Sequence, residues 1–466
     1  MKIEVDSRLV TPGDVFVAIP CSNVLSHIKQ ALELGASVVF TEEKIKTNAH
    51  IVNVPDAFLL ASQLARTQYP DQPENVVAIT GTNGKSSVAH FVSQFWHHYN
   101  QSSACLGTLG LFINGKKDNS ILIPNLTTPD AMHLHNIMSY LYENSINYLV
   151  FEASSAALDQ KRLHSVSLSA AAFTNFASDH LDYHKNKTNY LNAKLCLFNE
   201  VLPSNNPAIV STDDEHLHQA VKQVHANIIT YGFTPHNIIR AFNVKSSIDK
   251  IRFDLIINCN LFENLELKLT GSFQLLNVLT AIGLVYSLGM SPIQIADTIS
   301  HLTTLNGRME CVATHNGTRI FVDYAHTSEG FRTALQELKK YTKNRLICVF
   351  GCGGNRDITK RPEMGKIANE LADLVIITDD NPRAEEPASI RKAILDQCRN
   401  GIEIANRTDA IAYAVKNSYQ GDVVAIMGKG HETSQIYGNT SHSFSDKSVI
   451  LDVISTLSNT SSATTL

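Results

Sequence analysis

Cysteine pairs, a surplus of basic residues and long apolar runs are all missing from this 466-residue sequence. Its eight cysteines include no Cys-x-x-Cys pair, which argues against a disulfide scaffold or a zinc ribbon and suits a reducing compartment. Lysine and arginine number 39 against 44 aspartates and glutamates, so nothing indicates a nucleic-acid or membrane-surface binder. No apolar run reaches the roughly 18–20 residues that cross a bilayer, and the first ten residues lack a signal-peptide pattern. We therefore expect a soluble, cytoplasmic protein of several domains.

Short apolar segments alternate with longer segments of helical spacing along the chain. Each short segment is rich in β-branched residues and is followed closely by Gly, Ser, Asn or Asp. This alternation predicts α/β domains built on parallel sheets. The clearest predicted strands are 76–80, 148–152, 346–351, 374–378 and 423–428.

Two interruptions of this pattern divide the chain. The polar, proline-containing stretch 67–75 is typical of a linker. A second break falls near 303–310. We therefore predict three domains, 1–70, 71–304 and 305–466.

A glycine-rich loop lies between a predicted strand and an amphipathic helix, in the sequence VVAITGTNGKSS. Gly81 and Gly84 would let the backbone approach phosphates, Lys85 would supply a cation, and the Ser86 hydroxyl could bind Mg²⁺. The loop is a shortened Gly-x-x-Gly-Lys-Ser, because Ile79 stands where the longer phosphate-loop motif has its first glycine. Such a match can arise by chance, but the strand before it and the helix after it favour nucleotide binding.

Glu152, His180 and His184 in the predicted central domain are candidate metal ligands. Glu152 ends a predicted strand and is either a Mg²⁺ ligand or a solvated helix cap. His180 and His184 have the spacing of a zinc pair, but the glutamate of His-Glu-x-x-His is missing. Lys194 lies among leucines in a helical stretch, where spacing alone favours a surface lysine.

Several predicted strands of the last domain end in polar loops. Ligands of open parallel sheets bind at these carboxyl ends, so Arg356, Asn381, Arg383 and Glu432 should converge. Two arginines and a carboxylate suit an amino-acid ligand, because guanidinium binds carboxylate in a bidentate manner. The alternative is a surface network of ion pairs. Asp323 follows a fourth strand of this domain.

These motifs, taken in order from Asp6 to Glu432, resemble the Mur ligase family of bacterial peptidoglycan synthesis. The resemblance implies a small N-terminal α/β domain that binds UDP, a central P-loop ATPase-like domain with a parallel sheet, and a C-terminal Rossmann-like domain that binds an amino acid. The matching segments are DSR, GTNGKSS, LTTPD, EASS, FTN, DHLDYH, NGRME, VDYAHT, FGCGGNRD, TDDNPRAEEP and GKGHE.

The resemblance implies an ATP- and Mg²⁺-dependent ligase, acting as a monomer, that adds meso-diaminopimelate to UDP-N-acetylmuramoyl-L-alanyl-D-glutamate. Arg383 favours diaminopimelate over lysine, because lysine would leave a guanidinium in the pocket without a carboxylate. Alternatives are the same reaction with L-lysine, a ligase similar to folylpolyglutamate synthetase, and a nucleotide-dependent switch without ligation.

The resemblance also implies roles for individual residues. Lys85, Lys194 and His180 would be catalytic, with Lys194 carbamylated. The implied ATP contacts are Gly81, Thr82, Asn83, Gly84, Lys85, Ser86, Ser87, Asn277, Arg308 and Asp323. The implied metal ligands are Ser86, Glu152, His180 and Lys194. The implied contacts to the UDP-muramoyl dipeptide are Ser7, Thr127, Thr128, Ser154, Gln160 and Arg162. The implied diaminopimelate contacts are Arg356, Asp380, Asn381, Pro382, Arg383, Gly428 and Glu432.

The sequence departs from the family pattern at a few positions. Ser86 and Ser87 replace the usual threonines of the phosphate loop and keep the hydroxyls. Ala156 stands where a histidine is common, and Gln274 replaces a usual asparagine near the expected adenine position.

Overall fold

The computed structural model describes residues 1–45, 50–399 and 401–463. Every residue singled out above lies within these ranges. Helices accompany largely parallel sheets, which confirms the α/β prediction. No sheet of the described residues includes strands from both sides of position 70 or from both sides of position 304. The domain boundaries themselves stay a prediction.

The N-terminal sheet has four parallel strands in the order β1-β2-β3-β4. Phe16 and Val39 lie in one small core, and Val17 packs on the other face with Ala57 and Ala61. This alternation follows from the two-residue period of a strand. The elements are β1 (Ile3–Glu4), a 3₁₀ turn (Ser7–Leu9), β2 (Val15–Ala18), α1 (Val24–Glu33), β3 (Val38–Thr41), β4 (Ile51–Asn53) and α2 (Ala57–Gln68).

The central sheet has eleven strands in the order β15-β14-β13-β12-β11-β10-β5-β9-β6-β7-β8. Its interior is parallel, and antiparallel strands extend both edges. Because β5 is buried on both faces, its sequence contains a continuous apolar run instead of an alternating pattern. The strands are β5 (Asn75–Thr80), β6 (Ser103–Gly107), β7 (Gly110–Ile113), β8 (Lys116–Asp118), β9 (Tyr148–Glu152), β10 (Ala170–Phe173), β11 (Ala208–Ser211), β12 (Ile228–Gly232), β13 (Ile239–Ser246), β14 (Ile251–Ile257) and β15 (Asn260–Leu267).

The helix that begins at the phosphate loop buries one apolar face in the central core. Phe91, Phe95 and Trp96 lie on this face, and Trp96 is the single tryptophan of the chain. Its ring centroid is 5.1 Å from that of Tyr148. The central helices are α3 (Lys85–His98), α4 (Ala131–Glu143), α5 (Ser155–Asp159), α6 (Leu181–His184), α7 (Lys187–Cys196), which continues into a π-helical turn (Leu197–Val201), α8 (Glu215–Val224), α9 (Ser272–Ser287) and α10 (Pro292–Ile299).

The C-terminal sheet has six strands in the order β16-β17-β21-β18-β19-β20, and a separate hairpin, β22-β23, follows. Only β16 among its described strands runs antiparallel, so β17, β18, β19 and β21 direct their carboxyl ends to one edge. The strands are β16 (Glu310–His315), β17 (Thr318–Asp323), β18 (Leu346–Phe350), β19 (Leu374–Ile377), β20 (Gly401–Glu403), β21 (Val423–Met427), β22 (Ser434–Tyr437) and β23 (Thr440–Ser443). The helices are α11 (Ser328–Tyr341), α12 (Lys360–Leu371), α13 (Pro387–Leu395), α14 (Arg407–Lys416) and α15 (Asp446–Ala463).

Several contacts join the central and C-terminal parts of the chain, and two of them lie near the phosphate loop or the start of α9. The Glu337 carboxylate of α11 accepts hydrogen bonds from the Ser272 N–H (3.0 Å) and hydroxyl (2.8 Å) at the start of α9. Arg308 reaches the phosphate loop, with its Nη2 3.3 Å from Ser86 Oγ. The loops of the C-terminal sheet therefore face the phosphate loop. Among the described helices, none is both long and apolar enough to span a membrane.

Candidate active site

A cavity of about 560 Å³, called the main cavity here, lies between the phosphate loop and the carboxyl ends of the C-terminal strands. The structure brings most of the predicted site residues together around it. Those that line it are Thr82, Asn83, Gly84, Lys85, Ser86, Ser87, Thr127, Glu152, His180, Asn277, Arg308, Asp323, Arg356, Asp380, Asn381, Arg383, Gly428 and Glu432.

The phosphate loop needs glycine at both predicted positions. Gly81 and Gly84 have positive φ values of 143° and 84°. A Cβ on Gly81 would collide with Thr174, and one on Gly84 would collide with Asn277. Gly84 also forms the N-cap of α3, so the first N–H groups of the helix point toward the loop. The backbone therefore has the shape of an anion-binding loop.

Two lysines meet at one carbonyl of this loop. The Gly81 oxygen accepts hydrogen bonds from Lys85 Nζ (2.9 Å) and from Lys194 Nζ (2.8 Å). Lys194 is 1% exposed and lies over the Tyr190 ring, 4.5 Å from its centroid. The surface position that spacing favours for Lys194 is therefore wrong, because α7 packs this residue beneath the loop.

Burial lowers the pKa of both lysines. Burial, and then the charge of Lys85, lower the pKa of Lys194 well below its ordinary value. Burial also lowers the pKa of Lys85, although Glu152 and Asp179 oppose this shift. Two ammonium groups at one carbonyl repel each other. Glu152 and Asp179 both favour the charged form of Lys85, whereas only Asp179 does so for Lys194, so the repulsion favours loss of the Lys194 proton.

Glu152 ends β9, the immediate neighbour of the phosphate-loop strand β5. Its carboxylate is 3% exposed and accepts hydrogen bonds from the Thr108 N–H (2.9 Å) and hydroxyl (3.2 Å). No cationic side chain in the described residues forms an ion pair with it. Ser154 caps the helix that follows, so the interpretation of Glu152 as a helix cap is wrong. A buried carboxylate without a cation, facing a cavity, suits a bound metal ion.

His180 and His184 do not act as a zinc pair. His180 lines the main cavity beside Asp179, with 3.3 Å between its Nε2 and an Asp179 oxygen. Burial lowers the pKa of His180, although Asp179 opposes the shift. His184 is buried, and its Nε2 lies 3.0 Å from Ser155 Oγ. The described residues contain no cluster of three or more His, Cys, Asp or Glu side chains with metal-binding geometry.

The donors that do face the main cavity fit magnesium better than zinc. Ser86 offers a hydroxyl, Glu152 a carboxylate and His180 one imidazole nitrogen. The cavity is also lined by Cys352, but this thiol belongs to the C-terminal loops, where its Sγ lies 3.8 Å from the sulfur of Met364. Hard oxygen donors with places left for water and phosphate oxygens suit Mg²⁺.

The residues expected near adenine and ribose lie beside the phosphate loop. Asn277 Nδ2 donates to Gln274 Oε1 (3.1 Å), so the unusual glutamine keeps a polar contact here. The Arg308 guanidinium stacks on the Tyr324 ring, 4.2 Å from its centroid. Burial raises the pKa of Asp323, and Arg308 opposes the shift.

Two arginines of the C-terminal loops have no carboxylate partner in the described residues. Arg356 is exposed, and Arg383 donates from Nη1 to the Gly354 carbonyl (2.9 Å). Both line the main cavity. Neighbouring arginines are paired, as Arg361 with Glu385 (2.9 Å) and Arg407 with Asp446 (2.7 Å). A network of surface ion pairs therefore does not account for Arg356 and Arg383, and a ligand carboxylate would.

A second cavity of about 540 Å³ lies between the N-terminal sheet and the central part of the chain. It brings Ser7 together with Gln160 and Arg162, as the sequence predicts for one substrate. Sequence reasoning missed Asp130 and His133, which also line it and lie 2.7 Å apart. The hydrogen bond to Asp130 raises the pKa of His133, so this cavity contains a potential cation.

The remaining predicted residues line neither cavity, but they contact residues that line the main cavity or adjoin them in the chain. Thr128 Oγ1 donates to the Glu152 carbonyl (2.7 Å) and accepts from the Ser154 N–H (2.9 Å). Gly81 begins the phosphate loop, and Lys194 lies directly under it and donates to the Gly81 carbonyl. Pro382 supports the loop between Asn381 and Arg383. Sequence reasoning also missed Asp179, Lys360 and Lys429, although Asp179 and Lys429 lie within the quoted segments DHLDYH and GKGHE, and Lys360 follows FGCGGNRD by three residues.

Comparison with known proteins places this site in a family. Residues 79–285 match the family described as Mur ligase middle domain, and residues 307–430 match the Mur ligase, glutamate ligase domain. A curated protein of Rhizobium meliloti is 38% identical over 95% of this chain and 92% of its own. The chain belongs to the Mur ligase family.

Two curated relatives and one solved structure carry the same name. The Rhizobium meliloti protein is named UDP-N-acetylmuramoyl-L-alanyl-D-glutamate–2,6-diaminopimelate ligase. A Rickettsia prowazekii protein of the same name is 39% identical over 96% of this chain and 94% of its own. A solved structure of a ligase of that name has a TM-score of 0.69 at 29% identity and covers 98% of this chain and 95% of its own.

The fold extends beyond the Mur ligases. A folylpolyglutamate synthase of Mycobacterium tuberculosis, complexed with ADP and AMPPCP, has a TM-score of 0.65 at 16% identity. It covers 80% of this chain and 92% of its own. At this identity the likeness shows a common fold alone.

Proposed function

We propose that this Mur ligase adds meso-diaminopimelate to UDP-N-acetylmuramoyl-L-alanyl-D-glutamate at the expense of ATP, in the cytoplasm and as a monomer. One observation carries the proposal: a phosphate loop and two arginines without carboxylate partners face the same cavity. The names of the relatives support the choice of both substrates. The reaction is a step of peptidoglycan synthesis.

The chemistry proceeds in two steps. A carboxylate oxygen of the D-glutamate residue attacks the γ-phosphorus of ATP, and the bond from that phosphorus to the β,γ-bridging oxygen breaks. ADP departs, and an acyl-phosphate is formed on the D-glutamate residue. The amine nitrogen of diaminopimelate then attacks the acyl carbon, phosphate departs, and the nitrogen loses a proton. Lys85 stabilises the charge that spreads over the transferring oxygens, and no side-chain nucleophile is needed.

Ser86, Glu152 and His180 would hold Mg²⁺, together with a carbamate on Lys194. When bound, the ion would neutralise negative charge on the phosphates. The Lys194 amine can react with CO₂ only when it is neutral, and its burial beside Lys85 favours that form. Carbamylation would replace a cation under the loop with an anion, which removes the repulsion from Lys85.

The three predicted domains would divide the substrates among them. The second cavity, between residues 1–70 and the central part, would take the UDP-muramoyl dipeptide through Ser7, Gln160 and Arg162. The central domain, 71–304, would bind ATP. The C-terminal domain, 305–466, would bind diaminopimelate through Arg356 and the loop around Arg383.

A substrate screen with the purified protein tests the proposal. UDP-muramoyl dipeptide, ATP and Mg²⁺ are mixed with meso-diaminopimelate, L-lysine or L-glutamate, and ADP release is compared with product mass. We expect one ADP for each amide formed, and product with diaminopimelate alone. Incorporation of lysine within tenfold of diaminopimelate would contradict the specificity, and ADP release without any amide would indicate a switch instead of a ligase.

A further inference from the structure

A lysine with no exposed side-chain surface lies in the loop after β21. Lys429 Nζ is 2.7 Å from Glu432 Oε2 and 3.1 Å from Asn381 Oδ1. Gly428 and Gly430, on either side, have positive φ values of 106° and 54°. Lysine is almost never fully buried unless it is paired. Its place between two residues of the expected amino-acid site therefore calls for a reason.

The Asn381 side chain is held from three directions. Its Oδ1 accepts hydrogen bonds from Lys429 Nζ and from the Ile436 N–H (3.0 Å) of the hairpin strand β22. Its Nδ2 donates to Glu432 Oε2 (2.8 Å). An amide oxygen accepts two hydrogen bonds, so the oxygen of Asn381 has no lone pair left for a ligand. Asn381 therefore orients Glu432 instead of offering its oxygen to a substrate.

The two oxygens of Glu432 are in different situations. Oε2 accepts from both Lys429 and Asn381, whereas Oε1 has no hydrogen-bond partner in the described residues. Glu432 lines the main cavity, and its side chain is 28% exposed. One oxygen is thus fixed by the protein, and the other remains for a ligand cation.

We propose that Lys429 is a positioning residue for the incoming amino acid. It holds Asn381 and Glu432 so that Glu432 Oε1 receives an ammonium group of the diamino acid, while Arg383 and Arg356 face its carboxylates. The inference rests on the proposed function, since it assigns the ammonium subsite of the same cavity. Lys429 itself is fully buried and does not line the main cavity.

A structural ion pair would behave differently on substitution. Apolar side chains of similar volume often replace buried pairs at no cost to stability, although removal of one partner alone leaves the other charge unpaired. If Lys429 is a positioning residue, its substitution should change mainly the KM for one substrate, whereas a general loss of folding would lower the amount of active enzyme for every substrate. Separate measurement of KM for each substrate and of kcat therefore distinguishes the two roles.

The experiment compares Lys429→Met with wild type in steady-state assays in which diaminopimelate and ATP are varied separately. We expect the KM for diaminopimelate to rise about 10- to 100-fold, because Glu432 loses a charge-assisted hydrogen bond, while the KM for ATP stays within about twofold. Lys429→Arg should recover part of the loss. Lys392→Met is the matched control, because Lys392 is 74% exposed and pairs with Asp396 on the outer helix α13.

A double-mutant cycle with Glu432→Gln sharpens the test. If Lys429 acts through Glu432, the double variant should bind diaminopimelate about as poorly as Glu432→Gln alone. Additive losses, or an unchanged KM in Lys429→Met, would overturn the inference. Should Lys429→Met fail to fold, Lys429→Gln keeps a donor at this position and is expected to give an intermediate KM, and wild-type KM in that variant overturns the inference too. A wild-type enzyme that ligates no diaminopimelate would instead refute the proposed function.

Discussion

At the phosphate end of the main cavity, one uninterrupted segment between β5 and α3 supplies the loop, and its glycines turn the backbone itself toward the ligand. At the amino-acid end, side chains come from the loops after β18, β19 and β21, which are far apart in the sequence. The phosphate end depends on backbone shape, and the amino-acid end depends on which charged side chains the fold leaves unpaired. Generic phosphate binding and selective amino-acid binding are thus built by different means.

The largest expected effect is at the phosphate end. Lys85→Ala removes a charge that matters most when the γ-phosphoryl group is transferred, so kcat should fall about 10²–10³-fold with the fold intact. Rates of ADP release and circular dichroism measure both points. Lys116→Ala, on the exposed strand β8 of the same sheet, serves as the control. Retention of more than a tenth of wild-type turnover would refute the catalytic role of Lys85.

The next expected effect concerns Lys194, a side chain that lies under the phosphate loop and is proposed to act through its carbamate. Lys194→Ala should lose at least roughly 10²-fold in kcat, since it removes the carbamate that would help to hold Mg²⁺, and even residues that only orient metal ligands cost 10- to 100-fold when removed. Added short carboxylic acids should restore part of the rate by taking the place of the carbamate. Lys187→Ala, exposed at the start of the same helix α7, is the control. Full activity of Lys194→Ala without any additive would exclude the carbamate.

The amino-acid end should lose selectivity instead of chemistry. Arg383→Ala should lower kcat/KM for diaminopimelate about 10- to 100-fold, because a charged hydrogen bond to the distal carboxylate disappears, with little gain for lysine. Competition between the two amino acids measures the ratio. Arg332→Ala removes an outer arginine that pairs with Glu370 and should leave the ratio unchanged. An equal loss for both amino acids would mean that Arg383 supports the loop only.

The smallest expected effect concerns the contact between Glu337 of the C-terminal part and Ser272 of the central part of the chain. Glu337→Ala removes the acceptor for the first residues of α9 and should lower the midpoint of thermal unfolding by about 1–3 °C. Burial raises the pKa of Glu337, but the hydrogen bonds from Lys340 and Ser272 hold it below the ordinary value. The contribution is therefore present above the unfolded pKa and is lost as the pH falls through the folded one. Unfolding at pH 7 and near pH 3 checks this, and equal shifts at both values would contradict it.

Local signals in the sequence predict the fold and the loop well. The amphipathic helix predicted after the glycine-rich loop is present and runs from Lys85 to His98. It was predictable because its apolar face and its glycine start are both local features. The strand ends carrying Asp323, Arg356 and Arg383 were also predictable, since parallel strands place their carboxyl ends at one edge.

Contacts between distant segments could not be read in the same way. The burial of Lys194 depends on its contact with Gly81, 113 positions earlier in the chain, and the leucines around it do not distinguish a buried face from an exposed one. One partner of Lys429, Asn381, comes from a loop 48 positions earlier in the chain. That Arg383 has no carboxylate partner in the described residues is likewise a property of the whole cavity. Sequence reasoning finds which groups are present, and the packing of remote elements decides which remain available.

The single tryptophan gives the protein an internal reporter. Trp96 is 2% exposed and packs from α3 against the sheet strand that carries Tyr148. Selective excitation of tryptophan therefore yields fluorescence from the central sheet alone, with no contribution from the N-terminal or C-terminal sheets. A denaturation curve followed by this emission would describe the loss of the central core only, and its comparison with far-ultraviolet dichroism of the whole chain would reveal whether the three parts come apart together or one after another.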